Sequence, residues 1–472
     1  MILLVLCSLA VVAVAEHPPG ASITGAALNG MLQLEDWMFS WPEGEPVAVP
    51  YPFDEVSSRP DLPQGRRFPS EALPPDLIDP WASEGGLIGT TAARLGDAAV
   101  IGAITQHRET YYTEYDFAAM ARAGIGHARL ALGWWAFAAD PDTVTAPALI
   151  GDPCHPEKRF VAPPGSFLRG LLAQAGRHNV SLLVDLHAMP CGSSDGTYNG
   201  VFPADPTFFG NASARARGLG VVRTMLRWYA ALEPALRRAV HGFTLLNEPG
   251  LGLVPGGTPG PRPGVTPLAG GNASVVAWLG SAVEVFEELA VVGTAVAAGN
   301  DDAHQPLLYM NLHQAAFPPL PAALGGASSI EQMAGAMAGW GLSGKPWAVL
   351  DVHQYLAWSG DGRGVPAANC SSDETLGAYV GAAMQQFTGE MQAAAAAHGI
   401  ARIACSEWSL SLHHKDHVAP CAAPNALDVM YRTQVAAFAA ADMAQFFWGW
   451  RMPQGGCHEA KWSLKFHLTG MH

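Results

Sequence analysis

Short apolar runs alternate with amphipathic stretches along most of this chain, a pattern typical of repeated strand–helix units. Stretches such as 113–124, 165–178 and 426–441 are helix-like, and the first opens on a capping residue, Thr113. Eight apolar runs are candidate strands: 31–37, 127–133, 181–187, 242–248, 306–312, 347–353, 401–407 and 444–450. Eight such units in 472 residues predict an α/β fold, a (β/α)₈ TIM barrel with extended loops on the face where its strands end.

Two further stretches, 42–80 and 250–271, are rich in Pro or in Gly and Pro, and we interpret them as loops. The second would rise from the face where the strands end. The chain contains no internal repeat and no appended binding module. We therefore expect a single (β/α)₈ domain over residues 16–472, preceded by a leader over residues 1–15.

The N-terminal apolar stretch ends in a small-x-small pattern at Ala13–Ala15, which is typical of a cleaved signal peptide. Cleavage there removes Cys7 and leaves six cysteines, enough for three disulfides whose pairing the sequence does not reveal: Cys154, Cys191, Cys370, Cys405, Cys421 and Cys457. Four N-glycosylation sequons also suit a secreted chain: Asn179, Asn211, Asn272 and Asn369. We expect an extracellular or cell-wall location.

The charge balance restricts the partners. The chain has 26 Lys and Arg against 41 Asp and Glu, a formal net charge of −15. Nucleic acids and anionic membranes would repel such a chain, so neither is an expected partner. An uncharged substrate fits better, and we expect the protein to be a monomer.

Two glutamates, Glu248 in TLLNEPG and Glu407 in IACSEWSLS, each follow a short apolar run. In a barrel of parallel strands the carboxyl ends meet at one face, and two carboxyl groups brought together there can cleave a glycosidic bond. Polar or aromatic residues also occupy other predicted strand ends: Glu35, Arg129, Asp185, His187, Asn247, Asn311, His313, His353, Tyr355, Trp448 and Trp450. Charged side chains can bind sugar hydroxyls and an aromatic ring can cover a sugar's apolar face, so this pattern favours a carbohydrate site.

A metal centre is the main chemical alternative, because Asp and His at strand ends resemble metallohydrolase ligands. Asp185 and His187 are alternate residues of one strand, however, and the chain has no HxH or HExxH pair. We expect neither a metal nor a cofactor. A secreted glycan-binding protein that has lost catalysis is the alternative from another class, and the presence of both glutamates counts against it.

Several motifs together resemble glycoside hydrolase family 5, a retaining family of clan A. LLNEP, CSEWS and DVHQY match the family in general. Its exo-β-1,3-glucanase branch is matched by GMLQLEDW at 30–37 and by the segments 107–137, 184–200 and 446–451. The resemblance extends from about Gly25 to the C-terminus.

The resemblance implies a role for each matched residue. Glu407 would be the nucleophile and Glu248 the acid/base. The remaining matched residues would bind substrate or support the nucleophile: Glu35, Arg129, His187, Asn247, His353, Tyr355 and Trp448. Arg129 and Tyr355 would donate to Glu407, Asn247 would hold the sugar's 2-hydroxyl, and Trp448 would be the stacking floor.

The sequence differs from the exo-β-1,3-glucanase branch at positions expected around the entrance to the active site. Thr197 stands where the branch has an aromatic residue, with Tyr198 next to it, and Trp358 stands where the branch has phenylalanine. We expect Tyr198 and Trp358 to line the entrance. The implied activity is retaining hydrolysis of β-1,3-glucan from its non-reducing end, with release of glucose; the alternative is another family 5 β-glycanase acting on β-1,6- or β-1,4-glucan.

Overall fold

A computed structural model of the protein provides the coordinates. The residues it describes are 24–35, 38, 83–253, 265, 268, 272–292, 304–313, 316–317, 320, 326–358, 364–412, 421–452 and 461–469. The expected leader at 1–15, the Pro-rich stretch 42–80 and most of the stretch 250–271 lie outside these residues.

The centre of the molecule is a closed barrel of parallel strands, in the order β1-β10-β9-β8-β7-β6-β5-β2. The barrel strands are β1 (Thr24–Ala27), β2 (His127–Gly133), β5 (Ser181–Ala188), β6 (Val240–Thr244), β7 (Leu307–Asn311), β8 (Ala348–Asp351), β9 (Arg402–Trp408) and β10 (Ala444–Phe447). An antiparallel hairpin of β3 (Ala148–Gly151) and β4 (Arg159–Ala162) lies between β2 and β5 in the chain. The predicted (β/α)₈ fold class is confirmed.

Helices surround the barrel and cover the outer faces of its strands. They are α1 (Glu84–Leu95), α2 (Asp97–Tyr111), α3 (Glu114–Arg122), α4 (Gly165–Arg177), α5 (Ala212–Ala231), α6 (Pro234–Arg238), α7 (Ala273–Phe286), α8 (Ser329–Gly339), α9 (Asp373–His398), α10 (Ala426–Ala440) and α11 (Leu464–Thr469). The largest apolar core lies between strands and helices, and a smaller one of Leu183, Tyr309, Val349, Ala404, Ala444 and Phe446 fills the barrel interior.

The prediction of a first strand at 31–37 is wrong, because the barrel strand is β1, at 24–27. Its sequence, TGAA, lacks the β-branched aliphatic and aromatic residues that usually signal a strand. Within 31–35 only isolated bridges form, from Leu32 to Leu132 and from Glu35 to Ser83. The predicted strand 242–248 also ends early, at Thr244. Glu35 and Glu248 therefore lie on loops beyond the strand ends.

A buried ion pair supports the loop that carries Glu35. Glu84, at the start of α1, accepts from the backbone N–H of Leu34 at 3.0 Å and from Arg108 at 3.2 Å. Arg108 also donates to the carbonyl of Val161 at 2.7 Å. Burial raises the pKa of Glu84 to about 7, against the opposing effect of Arg108. Helices α1 and α2, which the sequence pattern did not predict, thus fix the position of one candidate site residue.

Within the described residues two disulfides form, Cys154–Cys191 and Cys370–Cys421. The first ties the loop after β3 to the loop that follows β5 on the site face. Cys405 is a buried free thiol, whereas Cys7 and Cys457 lie outside the described residues. Among the described helices, none has the length and apolar character that a membrane span requires.

The amino-terminal end of the barrel interior contains two partly buried histidines. The rings of His127 and His241 lie 4.3 Å apart. His127 bonds Ser181 Oγ at 2.9 Å, and His241 bonds the hydroxyl of Tyr309 at 2.8 Å. Burial lowers the pKa of His127 to about 4 and that of His241 to about 3. Both rings are therefore neutral in the folded protein near neutral pH.

These histidines should make folding acid-sensitive. A histidine whose pKa is depressed in the folded state binds a proton more readily when unfolded, so its stabilising effect is full above about pH 6.5 and is lost as pH falls toward the folded pKa. Each should lower the free energy of unfolding by about 1.4 kcal/mol per pH unit in that window. Urea unfolding between pH 7 and 4.5 measures this slope. His241→Phe should reduce it, and an unchanged slope in that variant would contradict the account.

Candidate active site

The two candidate carboxylates meet at the carboxyl ends of the barrel strands. Glu407 is near the end of β9, and Glu248 lies four residues beyond the end of β6. One oxygen of each carboxylate and Nδ1 of His353 all lie within 4.8 Å of one another. The side chains of Glu248 and Glu407 are 13% and 7% exposed, so both are shielded yet reachable from solvent.

Arg129 lies beneath Glu407 and is fully buried on β2. Nη1 donates to Glu407 Oε1, while Nη2 donates to Asn247 Oδ1 at 2.7 Å and lies 3.1 Å from Asp185 Oδ2. Burial disfavours a charged guanidinium, but Asp185 and Glu407 outweigh that effect and raise the pKa of Arg129. Arg129 is thus a permanent buried positive charge in contact with Glu407.

Tyr355 completes the contacts of Glu407. It follows β8 and donates its hydroxyl to Glu407 Oε2 at 2.7 Å. Both oxygens of Glu407 therefore accept a hydrogen bond, one from a cation and one from a phenol. Donors on both oxygens stabilise the ionised carboxylate and fix its orientation.

Asp185, His187 and Asn247 form an adjacent chain of polar contacts. His187 Nδ1 lies 2.5 Å from Asp185 Oδ2, which leaves its Nε2 to accept from Asn247 Nδ2 at 3.4 Å. The amide oxygen of Asn247 faces Arg129. Burial opposes protonation of His187, but the carboxylate of Asp185 raises its pKa. Asp185, a polar strand end that is not among the predicted site residues, contacts two residues that are, Arg129 and His187.

Glu248 has an unusual backbone conformation, with φ at +38°, which non-glycine residues rarely adopt. Its N–H donates to Asn311 Oδ1 at 2.7 Å, and its Oε1 lies 2.8 Å from Nδ1 of His353. Strained backbone of this kind persists where the surroundings hold it and is concentrated at functional sites. The strain here fixes the direction of the Glu248 side chain.

Aromatic residues form the floor and one wall of the site. Trp448, 4% exposed, stacks on His187 with ring centroids 5.4 Å apart, and the Arg129 guanidinium lies 5.8 Å from its ring centroid. At the wall, Trp358 is 39% exposed and lies edge-on to Tyr355 at 4.9 Å. Trp462 is 5.8 Å from Tyr355 and 6.4 Å from Trp358. Sequence reasoning missed Trp462 because it belongs to no strand pattern and no matched motif.

The loop after β5 brings Thr197 and Tyr198 into the site. Thr197 donates its hydroxyl to Glu35 Oε2 at 2.7 Å, so this departure from the family pattern supports a candidate sugar-binding residue. The Tyr198 ring lies edge-on to His187 at 5.4 Å. Its buried hydroxyl is near Glu248 and Ser194 but meets neither at hydrogen-bonding geometry. Tyr198 thus contacts the interior of the site.

The same loop contains a GxSxG pattern, Gly192–Gly196, which in serine hydrolases marks a nucleophile between a strand and a helix. Here a short 3₁₀ turn follows at Thr197–Asn199, and Ser194 is fully buried. The strand–turn–helix geometry that a nucleophilic serine requires does not form.

The protein is a closed barrel of eight parallel strands with two carboxylates at the carboxyl-terminal face. Retaining glycosidases of the (β/α)₈ class have this arrangement. Sequence comparison gives the particular likeness. The chain is 32% identical over 127 residues to a probable glucan 1,3-beta-glucosidase A of Emericella nidulans, covering 27% of each chain. It is 27% identical over 237 residues to the Aspergillus fumigatus protein of the same name, covering 50% of this chain and 42% of that one. The expected resemblance is confirmed.

The structural comparison agrees on the fold. The crystal structure of rutinosidase from Aspergillus niger superposes with a TM-score of 0.56 at 14% identity, covering 95% of this chain and 96% of that one. No family model matches the chain. The sequence alignments span less than half the length of the curated relatives, so they establish likeness over part of each protein.

Removing the buried guanidinium should destabilise the fold. Arg129→Met leaves Asp185 and Glu407 without their cation, and breaking a buried ion pair in this way costs about 3–5 kcal/mol. Chemical denaturation measures the loss. Arg177→Met, which breaks an exposed pair with Glu114, is the matched control and should leave the unfolding midpoint unchanged. Equal effects of the two substitutions would show that Arg129 does not organise the site.

Proposed function

We propose that the protein is a retaining β-glycosidase in which Glu407 is the nucleophile and Glu248 the acid/base. One arrangement carries the proposal: an oxygen of Glu248 lies within 4.8 Å of an oxygen of Glu407, and of the two glutamates only Glu407 receives donors from Arg129 and Tyr355. Retaining enzymes hold their carboxyl groups about 5–5.5 Å apart, whereas inverting enzymes leave about 6.5–9.5 Å for a water molecule. The close pair favours a covalent mechanism.

The contacts suggest how the two steps proceed. Glu407, kept ionised by its two donors, attacks the anomeric carbon while Glu248 transfers a proton to the departing oxygen. Water then attacks the glycosyl–enzyme bond, and Glu248 takes a proton from it. Asn247, whose amide oxygen is held by Arg129, would present its Nδ2 to the sugar's 2-hydroxyl. Trp448 would cover the sugar's apolar face, with Glu35, His187 and His353 around it.

We propose β-1,3-glucan as the substrate, hydrolysed from its non-reducing end to glucose. The names of the relatives support this linkage, and the negative net charge suits an uncharged polymer. The wall of Trp358 and Trp462 beside Tyr355 offers an aromatic surface for the sugar beyond the cleaved bond. Tyr198 would line the opposite side. No metal or cofactor is needed, since Arg129 supplies the positive charge at Glu407.

The chain organisation supports a secreted enzyme. We propose that residues 1–15 form a signal peptide and that 16–472 form one catalytic domain. The two disulfides fit an oxidising compartment, in the extracellular space or the cell wall. A monomer would suffice, because every proposed site residue comes from one chain.

Azide should separate the two carboxylates. Glu248→Ala slows both steps, and azide can replace the base-assisted water in the second step, so azide should restore turnover and give a glycosyl azide of retained configuration. Glu407→Ala has no nucleophile, and any azide product should have inverted configuration. Proton NMR of the products of an aryl β-glucoside identifies each anomer, and circular dichroism checks the fold. Retained product from the Glu407 variant would overturn the roles.

A hydrolysis panel tests the substrate. Laminarin should release glucose from the first turnovers, with pustulan, soluble cellulose and mannan cleaved more slowly and EDTA without effect. Long oligosaccharides with a rapid fall in viscosity would indicate endo action instead. Failure to hydrolyse any glycan or aryl glycoside would favour a glycan-binding protein.

The aromatic wall formed by Trp358 and Trp462 should contribute more to the binding of long substrates than to the binding of short ones. Trp358→Ala should raise KM for laminarin about 10-fold, within the about 1–3 kcal/mol expected for one stacking contact, and should change KM for an aryl β-glucoside less. Leu95→Ala, at an exposed apolar residue in the last turn of α1, is a control for loss of exposed apolar surface. Equal effects of Trp358→Ala on both substrates would place the ring outside the acceptor site.

A further inference from the structure

A chain of hydrogen bonds behind the site joins Glu248 to the buried carboxylate of Asp351. Nδ1 of His353 faces Glu248 Oε1 at 2.8 Å, and Nε2 of the same ring faces Ser406 Oγ at 3.1 Å. Ser406 Oγ in turn lies 2.5 Å from Asp351 Oδ2. Ser406 immediately precedes Glu407 on β9, so this series of hydrogen bonds links Glu248 to the strand that carries the other candidate catalytic carboxylate.

The contacts of Asp351 fix where protons lie at that end of the chain. Its Oδ1 accepts from the backbone N–H of Ser406 at 2.8 Å, and its Oδ2 accepts from Asn311 Nδ2 at 3.2 Å. The amide of Asn311 cannot be turned around, because its oxygen accepts from the Glu248 N–H at 2.7 Å. Burial raises the pKa of Asp351, but these donors and the nearby Arg129 cation favour the carboxylate. An ionised Asp351 can only accept.

The location of each remaining proton follows from counting hydrogen-bond donors and acceptors. The single hydroxyl proton of Ser406 goes to Asp351, so Ser406 Oγ can only accept from His353. The ring therefore carries its proton on Nε2. Burial lowers the pKa of His353, which favours a neutral ring with a lone pair on Nδ1. That lone pair faces Glu248 Oε1, which must supply the proton between them.

We propose that Asp351 and Ser406 are positioning residues that hold His353 as its Nε2–H tautomer, so that the resting enzyme keeps its catalytic proton on Glu248. The proposal rests on the proposed role of Glu248 as the acid. During glycosylation the Glu248 O–H bond breaks, the proton bonds to the leaving oxygen, and the electron pair of that bond remains on Glu248. In the second step Glu248 regains a proton from water, which restores the starting arrangement.

A reversed arrangement is the alternative. His353 Nδ1 also lies 3.3 Å from Glu407 Oε2, so a proton on Nδ1 could be shared by the two glutamates. Glu407 already accepts from Arg129 and Tyr355, however, and the Nδ1 hydrogen-bond geometry is directed at Glu248. The reversed arrangement would also require Ser406 to donate to the ring, leaving its 2.5 Å contact with ionised Asp351 without a proton.

Nitrogen-15 NMR of histidine-labelled protein tests the tautomer without relying on activity. The His353 signals can be assigned as those missing from His353→Gln among the 17 histidines. In the wild type, Nε2 should appear protonated and Nδ1 unprotonated. Ser406→Ala should shift the ring toward the Nδ1–H form, and Ser406→Thr, which keeps the hydroxyl, should retain the wild-type pattern. A wild-type ring protonated on Nδ1, or the same tautomer in Ser406→Ala, would overturn the proposal.

Leaving-group dependence tests the consequence for catalysis. Ser406→Ala should lower kcat/KM about 10- to 100-fold for a glucoside with a poor leaving group, part of the about 10²–10⁴-fold that general acid catalysis contributes. A dinitrophenyl glucoside, whose leaving group needs no proton, should be little affected. In Asp351→Asn the new amide can donate to Ser406 Oγ, which would reverse the direction of the hydrogen bonds between residue 351 and His353. This variant should therefore behave like Ser406→Ala.

The outcomes separate this proposal from the proposed function. Equal losses on both glucosides, with an unchanged melting temperature, would contradict a role in holding the proton. A wild type inactive on every glycoside, with the Nε2–H tautomer intact, would remove the proposed function and leave the hydrogen-bond assignment standing.

Discussion

The site depends on a single buried positive charge. Arg129 is fully buried, yet it contacts Glu407, Asn247 and Asp185, and its guanidinium lies below the ring of Trp448. A buried cation is tolerated only where anions and acceptors surround it, so these side chains are constrained as one unit. The same guanidinium donates to Glu407 and to the amide oxygen of Asn247, which ties the proposed chemistry to the folding of the barrel.

The two glutamates differ because their neighbours differ. Glu407 accepts hydrogen bonds from Arg129 and Tyr355, whereas Glu248 faces the imidazole of His353, which is proposed to present a lone pair to it. Retaining glycoside hydrolysis requires this division between an ionised nucleophile and a protonated acid. Asp351, which contacts neither carboxylate, is proposed to set the division through Ser406 and His353. The two glutamates would thus differ in protonation state because their surroundings differ.

Sequence reasoning recovered the barrel because buried strands carry a strong apolar signal, as in 127–133 and 181–187. It misplaced the first strand because TGAA has no such signal, and it missed the helices 84–95 and 97–111. At the site it listed the polar strand ends but could not supply their contacts. The role of Thr197 at Glu35 and the position of Trp462 depend on loops folding together, which no local pattern encodes.

Trapping the covalent intermediate tests the central claim most directly. A 2-deoxy-2-fluoro-β-glucoside with a good leaving group forms the glycosyl–enzyme but slows its hydrolysis, because fluorine destabilises the oxocarbenium-like transition state. Peptide mass spectrometry then locates the sugar. The account predicts one label, on Glu407, that disappears in Glu407→Gln. A label on Glu248, or no label on an enzyme that is active on aryl glucosides, would contradict it.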